Sequence, residues 1–505
     1  MRLNRARAFL ILLPLVAVLS IATGRPAWAQ QSRGPYTDVP ALPEGVFGER
    51  IAELIDVINS NDSSRVRTFV EQRLTESSRN MAPMEEHLAT AAELYEQSRG
   101  FDFHSIRDYE APTPAEEFVV IVRNRLTQDW QAFILLIEQE PPHLIKSLQF
   151  SSARPPSDLP PAAKLSESQL VRELEAFVQR LADADAFSGT VLLARDGIVL
   201  FKGAYGLASK RFNVPNRMDT KFNLGSMNKM FTGVAIAQLV EQGRLSLDDS
   251  LSKFLSSEWL PLEITAKIQI KHLLTHTSGL GSYFNDKYNE SSRLLFRELD
   301  DYKPLIAGDT LAFEPGTDWR YSNTGMFLLG VVIENVTNQS YFDYVREHIY
   351  EPAGMSNTDC YDMDRPVPNL AIGYSRERSG PEPRWTNNIF KHVVRGGPAG
   401  GGFSTVEDLL KFDSALRSHK LLTPDYTEMV WSGKPELNSP DYGFGFGVRG
   451  TPENRIVGHS GGFAGINSNL SMFLDTGYTC AVMSNYDMGA HRVVTKIEEL
   501  LGRLE

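Results

Sequence analysis

Apolar positions follow two different periods in the first part of the chain. Ile51, Leu54, Ile55 and Ile58 recur three or four residues apart, which is the spacing of one helix face. The later runs EEFVVIVRNRL and WQAFILLIEQE are strand-like, and a short turn around 127–129 separates them. Helices followed by a meander of strands predict a small α+β unit over residues 30–150.

The rest of the chain has strands at both of its ends. After a helical pattern at 169–181, GTVLLAR and IVLFKG flank the turn Asp196–Gly197, as in a β-hairpin. Near the C-terminus come the strands NLSMFL and YTCAVMSN, and then an amphipathic helix that includes Val493 and Ile497. We therefore predict an α+β domain over 165–505, in which both termini close one antiparallel sheet and a helical subdomain packs on it.

Two further segments complete the predicted organisation. The stretch SSARPPSDLPPAAK, residues 151–164, has the composition of a stiff linker. A basic start, an apolar run over 8–22 and the motif Ala27–Trp28–Ala29 predict a signal peptide over 1–29, with an uncleaved anchor as the alternative. The protein is then exported, to the periplasm or the medium, with no membrane span after cleavage. The unit over 30–150 resembles the nuclear-transport-factor-like fold in its order of elements.

Composition and charge exclude several classes of function. The chain is 42% hydrophobic and 23% charged, as expected for a globular protein. Its net charge of −12 becomes −16 without the four leader arginines, which argues against nucleic acid and anionic membranes as partners. Cys360 and Cys480 permit a disulfide without requiring one, and two distant cysteines make no zinc site. No cofactor is implied, and the oligomeric state stays open.

The segment Gly458–Gly462, GHSGG, fits the G-x-S-x-G pattern of a nucleophile elbow around Ser460. Such an elbow requires a helix directly after the serine and a catalytic histidine later in the chain. Here a glycine-rich stretch and more strands follow, and His491 is the sole later histidine. We therefore expect Ser460 to lie in an edge strand and not to be the nucleophile.

A better candidate nucleophile is Ser226 in the sequence FNLGSMNKMFTG. Gly225 permits a tight turn, and the apolar segment that follows, up to Glu241, predicts a buried helix. Lys229 shares a helix face with Ser226, so its amine can reach the hydroxyl. A buried lysine loses its proton more readily and can then act as a base.

Two further motifs accompany this S-x-x-K. Tyr321 and Asn323 form a Y-x-N directly before an apolar helix, where they can supply a proton shuttle and an amide donor. His459 and Gly461 form an H-x-G within the segment already described. In this order and at this spacing, the three motifs resemble the class C β-lactamase and DD-peptidase superfamily of serine hydrolases. The resemblance covers about 180–505 and includes the stretches LLTHTSGL, PAGGGFST and YGFGFGV.

The resemblance implies a β-lactamase/transpeptidase-like fold and a role for each motif. Ser226 forms the acyl-enzyme, and Lys229 and Tyr321 move its proton, with either one as the base. The backbone N–H groups of Ser226 and Gly462 form the oxyanion hole. Asn323, His459 and Gly461 bind the substrate.

The substrate implied by the resemblance is a small-molecule or peptide acyl compound, cell-wall fragments included. His459 is only partly charged near neutral pH, whereas a lysine at this motif would carry a fixed charge for a substrate carboxylate. Peptidase or esterase action is therefore favoured over β-lactam hydrolysis. The alternative is a non-catalytic penicillin- or peptidoglycan-binding sensor of the same fold.

Overall fold

The structure is a computed structural model that describes residues 34–111, 113–377 and 384–505. The predicted signal peptide lies outside these residues. The described chain forms two compact units, and the boundary along the chain lies between Ala163 and Lys164. Among the described residues, no helix combines the length and the apolar character needed to cross a membrane.

Within the described residues, the first unit consists of a short strand, four helices and then four further strands, and all five strands form one antiparallel sheet. Its sheet has the strand order β1-β2-β3-β4-β5, in which each strand pairs with its neighbour in sequence. The strand β1 was not predicted, and β5 extends to the second residue of the proposed linker. The elements are β1 (Tyr36–Val39), α1 (Val46–Ser60), α2 (Ser63–Arg73), α3 (Glu76–Arg79), α4 (Met84–Ser98), β2 (Phe101–Tyr109), β3 (Glu117–Asn124), β4 (Trp130–Ile137) and β5 (Ile145–Ser152).

Both faces of β3 are buried, which explains its unbroken apolar run. Val120 and Val122 join the core that the sheet forms with α1 and α2, and this core includes Ile51 and Leu54. Val119 and the other residues that alternate with them belong to a smaller cluster. The first unit therefore has a hydrophobic core of its own. Its nuclear-transport-factor-like classification stays a prediction.

The second unit has a six-stranded antiparallel sheet and many helices. Its strands are β6 (Gly189–Arg195), β7 (Ile198–Tyr205), β8 (Leu207–Ser209), β9 (Val214–Pro215), β10 (Phe222–Asn223), β11 (Tyr374–Glu377), β12 (Arg384–Asn387), β13 (Phe403–Ser404), β14 (Gly447–Thr451), β15 (Asn454–Phe463), β16 (Ile466–Phe473) and β17 (Tyr478–Ser484). Its α-helices are α5 (Glu167–Asp183), α6 (Asn228–Glu241), α7 (Leu262–Thr265), α8 (Ile270–Leu274), α9 (Asp286–Glu290), α10 (Lys303–Ile306), α11 (Asn323–Thr337), α12 (Tyr341–Val345), α13 (Glu351–Ala353), α14 (Val406–Arg417), α15 (Pro424–Trp431) and α16 (Gly489–Leu501).

The large sheet has the strand order β14-β15-β16-β17-β6-β7. The first and last strands of the unit thus meet at the β17–β6 pair, and the prediction of one sheet closed by both termini is confirmed. The expected edge position of β15 is wrong, because β14 occupies the edge. However, β14 pairs only with residues 454–458, so His459–Phe463 have no strand partner on that side.

Helix α6 lies in the middle of the second unit. Every residue from Asn228 to Leu239 is buried, which explains why the segment has no polar face. Its core also includes Leu192 and Met483 from the central strands of the large sheet. Cys360 and Cys480 are both buried and unpaired.

Gly233 allows α6 to approach the chain around Phe444. A Cβ on Gly233 would lie 2.0 Å from the Phe444 carbonyl oxygen, whereas a Cβ on Gly308 would meet nothing within 4 Å. We predict that Gly233→Ala lowers the free energy of unfolding by about 1–3 kcal/mol, as overpacking typically does. Thermal unfolding measures the effect, with Gly308→Ala as the matched control. Equal melting temperatures for the two variants would contradict this packing.

Candidate active site

Ser226 lies in a 3₁₀ turn, Gly225–Met227, that leads directly into α6. Gly225 has φ 51°, and the side chain of Asn223 accepts a hydrogen bond from its N–H at 2.8 Å. A positive φ is readily adopted by glycine, so the local sequence fixes this turn. The Ser226 side chain is half-buried, at the beginning of the buried helix.

The Lys229 side chain is completely buried one turn further along. Its Nζ donates to Oδ1 of Asn323 at 2.9 Å and to the carbonyl oxygen of Ala399 at 2.6 Å. Burial lowers the pKa of Lys229 well below its ordinary value. In its neutral form, which burial favours, the amine has two N–H bonds for these two acceptors and keeps a free lone pair.

Tyr321 and Asn323 are placed by the start of α11. The hydroxyl of Ser322 caps this helix by accepting from the Gly325 N–H at 2.8 Å. Burial raises the pKa of Tyr321, and a side-chain hydrogen bond with Ser226 opposes that shift. The amine of Lys229 lies 4.9 Å from the centre of the Tyr321 ring. Tyr321 is therefore in contact with Ser226 and close to the buried amine.

The oxygen and the nitrogen of the Asn323 amide each have a hydrogen-bond partner within the protein, which the sequence did not indicate. Its oxygen accepts from Lys229, and its Nδ2 donates to Oγ of Ser282 at 3.1 Å. One N–H of the amide therefore stays available to a substrate, because a primary amide has two.

The part of β15 that extends beyond its pairing with β14 lies against the Ser226 turn. A Cβ on Gly225 would lie 2.9 Å from both Cα of Gly461 and N of Gly462, and a Cβ on Gly461 would lie 1.8 Å from the Leu224 carbonyl oxygen. Only glycine permits this approach, which brings the backbone of Gly462 beside Ser226. Ser460 is exposed within β15, and a strand follows it, so the arrangement of a nucleophile elbow is absent around this serine.

Both ring nitrogens of His459 are engaged within the protein. Nδ1 lies 2.5 Å from the Ser460 carbonyl oxygen, which can only accept, so Nδ1 carries the proton. Nε2 then accepts from the Tyr442 hydroxyl at 2.9 Å. Burial lowers the pKa of His459 to about 3, so the ring is neutral at neutral pH.

Several residues that shape this site were not predicted from the sequence to belong to it. His276 accepts the Ser322 N–H on Nδ1 at 3.1 Å, and its ring lies 4.4 Å from that of Tyr321 and 4.6 Å from that of Tyr442. Both His276 and Tyr442 belong to stretches that the resemblance included, LLTHTSGL and YGFGFGV. The Ala399 carbonyl lies in PAGGGFST, but a backbone acceptor leaves no signal in the sequence.

A protein metal site needs several acidic, histidine or cysteine side chains that converge on one point. In the described ranges, no group of three such residues could hold a metal ion. His272, four residues before His276, instead accepts the Gln269 N–H on Nδ1 at 3.1 Å, at the start of α8.

Comparison with known proteins identifies the family of the second unit. The Beta-lactamase family model matches residues 174–501. The chain belongs to this family. Penicillin-binding protein 4* of Bacillus subtilis, strain 168, is 31% identical to this β-lactamase family member over 330 residues, which are 62% of this chain and 71% of the relative.

Solved structures are similar to this chain over about two thirds of its length. A penicillin-binding protein from Bacillus halodurans is 29% identical with a TM-score of 0.57, over 67% of this chain and 99% of that one. A D-stereospecific amidohydrolase from Streptomyces sp. is 27% identical with a TM-score of 0.52, over 65% of this chain and 98% of that one. The predicted β-lactamase/transpeptidase-like fold is confirmed.

The buried Lys229 amine makes stability depend on pH. Between its lowered pKa and its ordinary value of 10.5, Lys229 binds fewer protons in the folded than in the unfolded chain, so its contribution to stability rises with pH. We predict that Lys229→Met reduces the slope of the free energy of unfolding against pH by up to about 1.4 kcal/mol per pH unit. Urea unfolding of both proteins from pH 7 to 10 measures the difference. If the free energy of unfolding changed with pH in the same way in both proteins, a lowered pKa of Lys229 would be contradicted.

Proposed function

We propose that the protein is an exported serine hydrolase that acts on ester or amide carbonyls through an acyl-enzyme on Ser226. The contact that carries this proposal is Ser226 against Tyr321, with the buried amine of Lys229 4.9 Å from the Tyr321 ring. The predicted leader supports export. Family membership, with an amidohydrolase among the similar structures, supports hydrolysis of an acyl bond.

In the proposed reaction, Oγ of Ser226 bonds to the acyl carbon as its proton passes to the Tyr321–Lys229 pair. The neutral Lys229 amine has a lone pair for that proton, and Tyr321 is the group in contact with Ser226. The pair returns the proton to the leaving group, and water or an amine then releases the acyl group. The N–H groups of Ser226 and Gly462 stabilise the carbonyl oxygen as it becomes negative.

The state of His459 supports a substrate with no charge beside the leaving group. With Nδ1–H donated to Ser460 and Nε2 accepting from Tyr442, the neutral ring has no N–H left for a carboxylate. Esters and amides without a carboxylate at this position therefore fit better than β-lactams or peptides with a free C-terminus.

The nucleophile is tested by Ser226→Ala, which we predict abolishes ester turnover and labelling by a fluorophosphonate probe. Ser460→Ala is the matched control and should keep both, because this serine is exposed within a strand. Equal loss in the two variants would contradict the assignment. A lasting covalent adduct on Ser226 without turnover would instead favour a penicillin- or peptidoglycan-binding sensor.

The role of His459 is tested with a D-Ala-D-Ala peptide and its C-terminal amide. We predict that the amide is cleaved at least tenfold faster, with a ratio that is constant from pH 5 to 9, because the pKa of His459 is about 3. His459→Lys should lower the ratio of amide cleavage to free-acid cleavage. If cleavage of the free acid rose selectively below pH 6.5, His459 would titrate normally and this account of specificity would be wrong.

A further inference from the structure

Aromatic side chains cluster at the end of β15, directly after the proposed oxyanion donor Gly462. Phe463 is 37% exposed, and its ring stacks on that of Phe284 with centroids 6.1 Å apart. The ring of His392 lies 5.9 Å from Phe463. Side by side, the two phenylalanines present apolar surface next to the site, where a ligand could cover it.

Hydrogen bonds fix the backbone next to both phenylalanines. The Phe284 N–H donates to Oγ of Ser282 at 3.3 Å, and this oxygen also accepts from Asn323. On the other side, Nδ2 of Asn388 donates to the Ala464 carbonyl at 2.8 Å, immediately after Phe463. Hydrogen bonds thus fix the backbone beside each phenylalanine, and Phe284 shares the Ser282 hydroxyl with Asn323 of the site.

The direction of β15 shows which part of a substrate would meet these rings. At about 3.3 Å per residue, His459 and Phe463 lie about 13 Å apart along the strand. Tyr321 is at the His459 end, with ring centroids 6.4 Å apart. Since Tyr321 and Lys229 protonate the leaving group in the proposed reaction, that group lies towards His459. With the carbonyl oxygen of the substrate at the backbone N–H of Gly462, the acyl group points towards Phe463.

We propose that Phe284 and Phe463 form a subsite for the acyl group and select substrates with an aromatic or medium-length aliphatic acyl chain. This inference rests on the proposed function of Ser226. Each methylene buried there raises kcat/KM by up to about fourfold, which is the fold-change equivalent of its transfer free energy.

The test compares p-nitrophenyl acetate, hexanoate and phenylacetate, so that only the acyl group changes. We expect kcat/KM to be higher for hexanoate and phenylacetate than for acetate. Phe463→Ala or Phe284→Ala should lower the ratio of kcat/KM for either ester to that for acetate at least tenfold. Phe463→Leu, which keeps an apolar side chain, should retain most of the preference for hexanoate. Phe212→Ala is the control, because Phe212 is 70% exposed on the β8–β9 connection.

A second series keeps the acetyl group and varies the leaving phenol. The Phe463 and Phe284 variants should not alter the order of rates in this series. If they change leaving-group preference instead, or if the ratio of hexanoate to acetate stays the same, the acyl subsite is wrong. Hydrolysis of all three esters without acyl preference would overturn only this inference, whereas no hydrolysis of any ester would overturn the proposed function.

Discussion

The burial of the Lys229 amine is the constraint on which the rest of the site depends. An ammonium group is costly to bury without a counter-charge, so burial lowers the pKa of Lys229 and favours the neutral amine, which is a potential proton acceptor. Its two hydrogen bonds, to Asn323 and Ala399, fix it between α6, α11 and the glycine-rich stretch before α14. Three segments distant in sequence must therefore pack correctly for one amine to lie near Tyr321 and Ser226.

In the proposed function, access of a substrate depends on a second feature, which is that β14 pairs with only the first part of β15. Because β14 ends its pairing at Gly458, the next five residues offer a backbone edge beside Ser226. Gly461 permits the close approach to Leu224, and the residues at the two ends of this run differ in chemistry. At one end His459 is neutral and engaged with Tyr442, and at the other end Phe463 is apolar and partly exposed. In the proposed reaction, the first end meets the leaving group and the second end meets the acyl group.

Much of this arrangement could be predicted from the sequence. The hairpin of β6 and β7, the C-terminal strands and α16 have strong periodic patterns, and the helix start at Ser226 follows from Gly225 and the apolar segment after it. The strands β1 and β14 could not be predicted, because YTDV and GVRGT have no alternating apolar face. The acceptor at Ala399 and the Tyr442–His459 hydrogen bond depend on tertiary packing, and the sequence gives no local signal for either contact. For the same reason, the neutrality of His459 could be only partly anticipated.

The central claim is that a neutral Lys229 activates Ser226, and the pH dependence of phosphonylation tests it most directly. The second-order rate constant for labelling by a fluorophosphonate depends on the protonation state of the free enzyme. If the pKa of Lys229 is far below 10.5, the rate constant will be flat from about pH 8 to 10 and will fall only at lower pH. A rate constant that rises tenfold per pH unit up to pH 10 would show that the lysine is charged at neutral pH and would contradict this account.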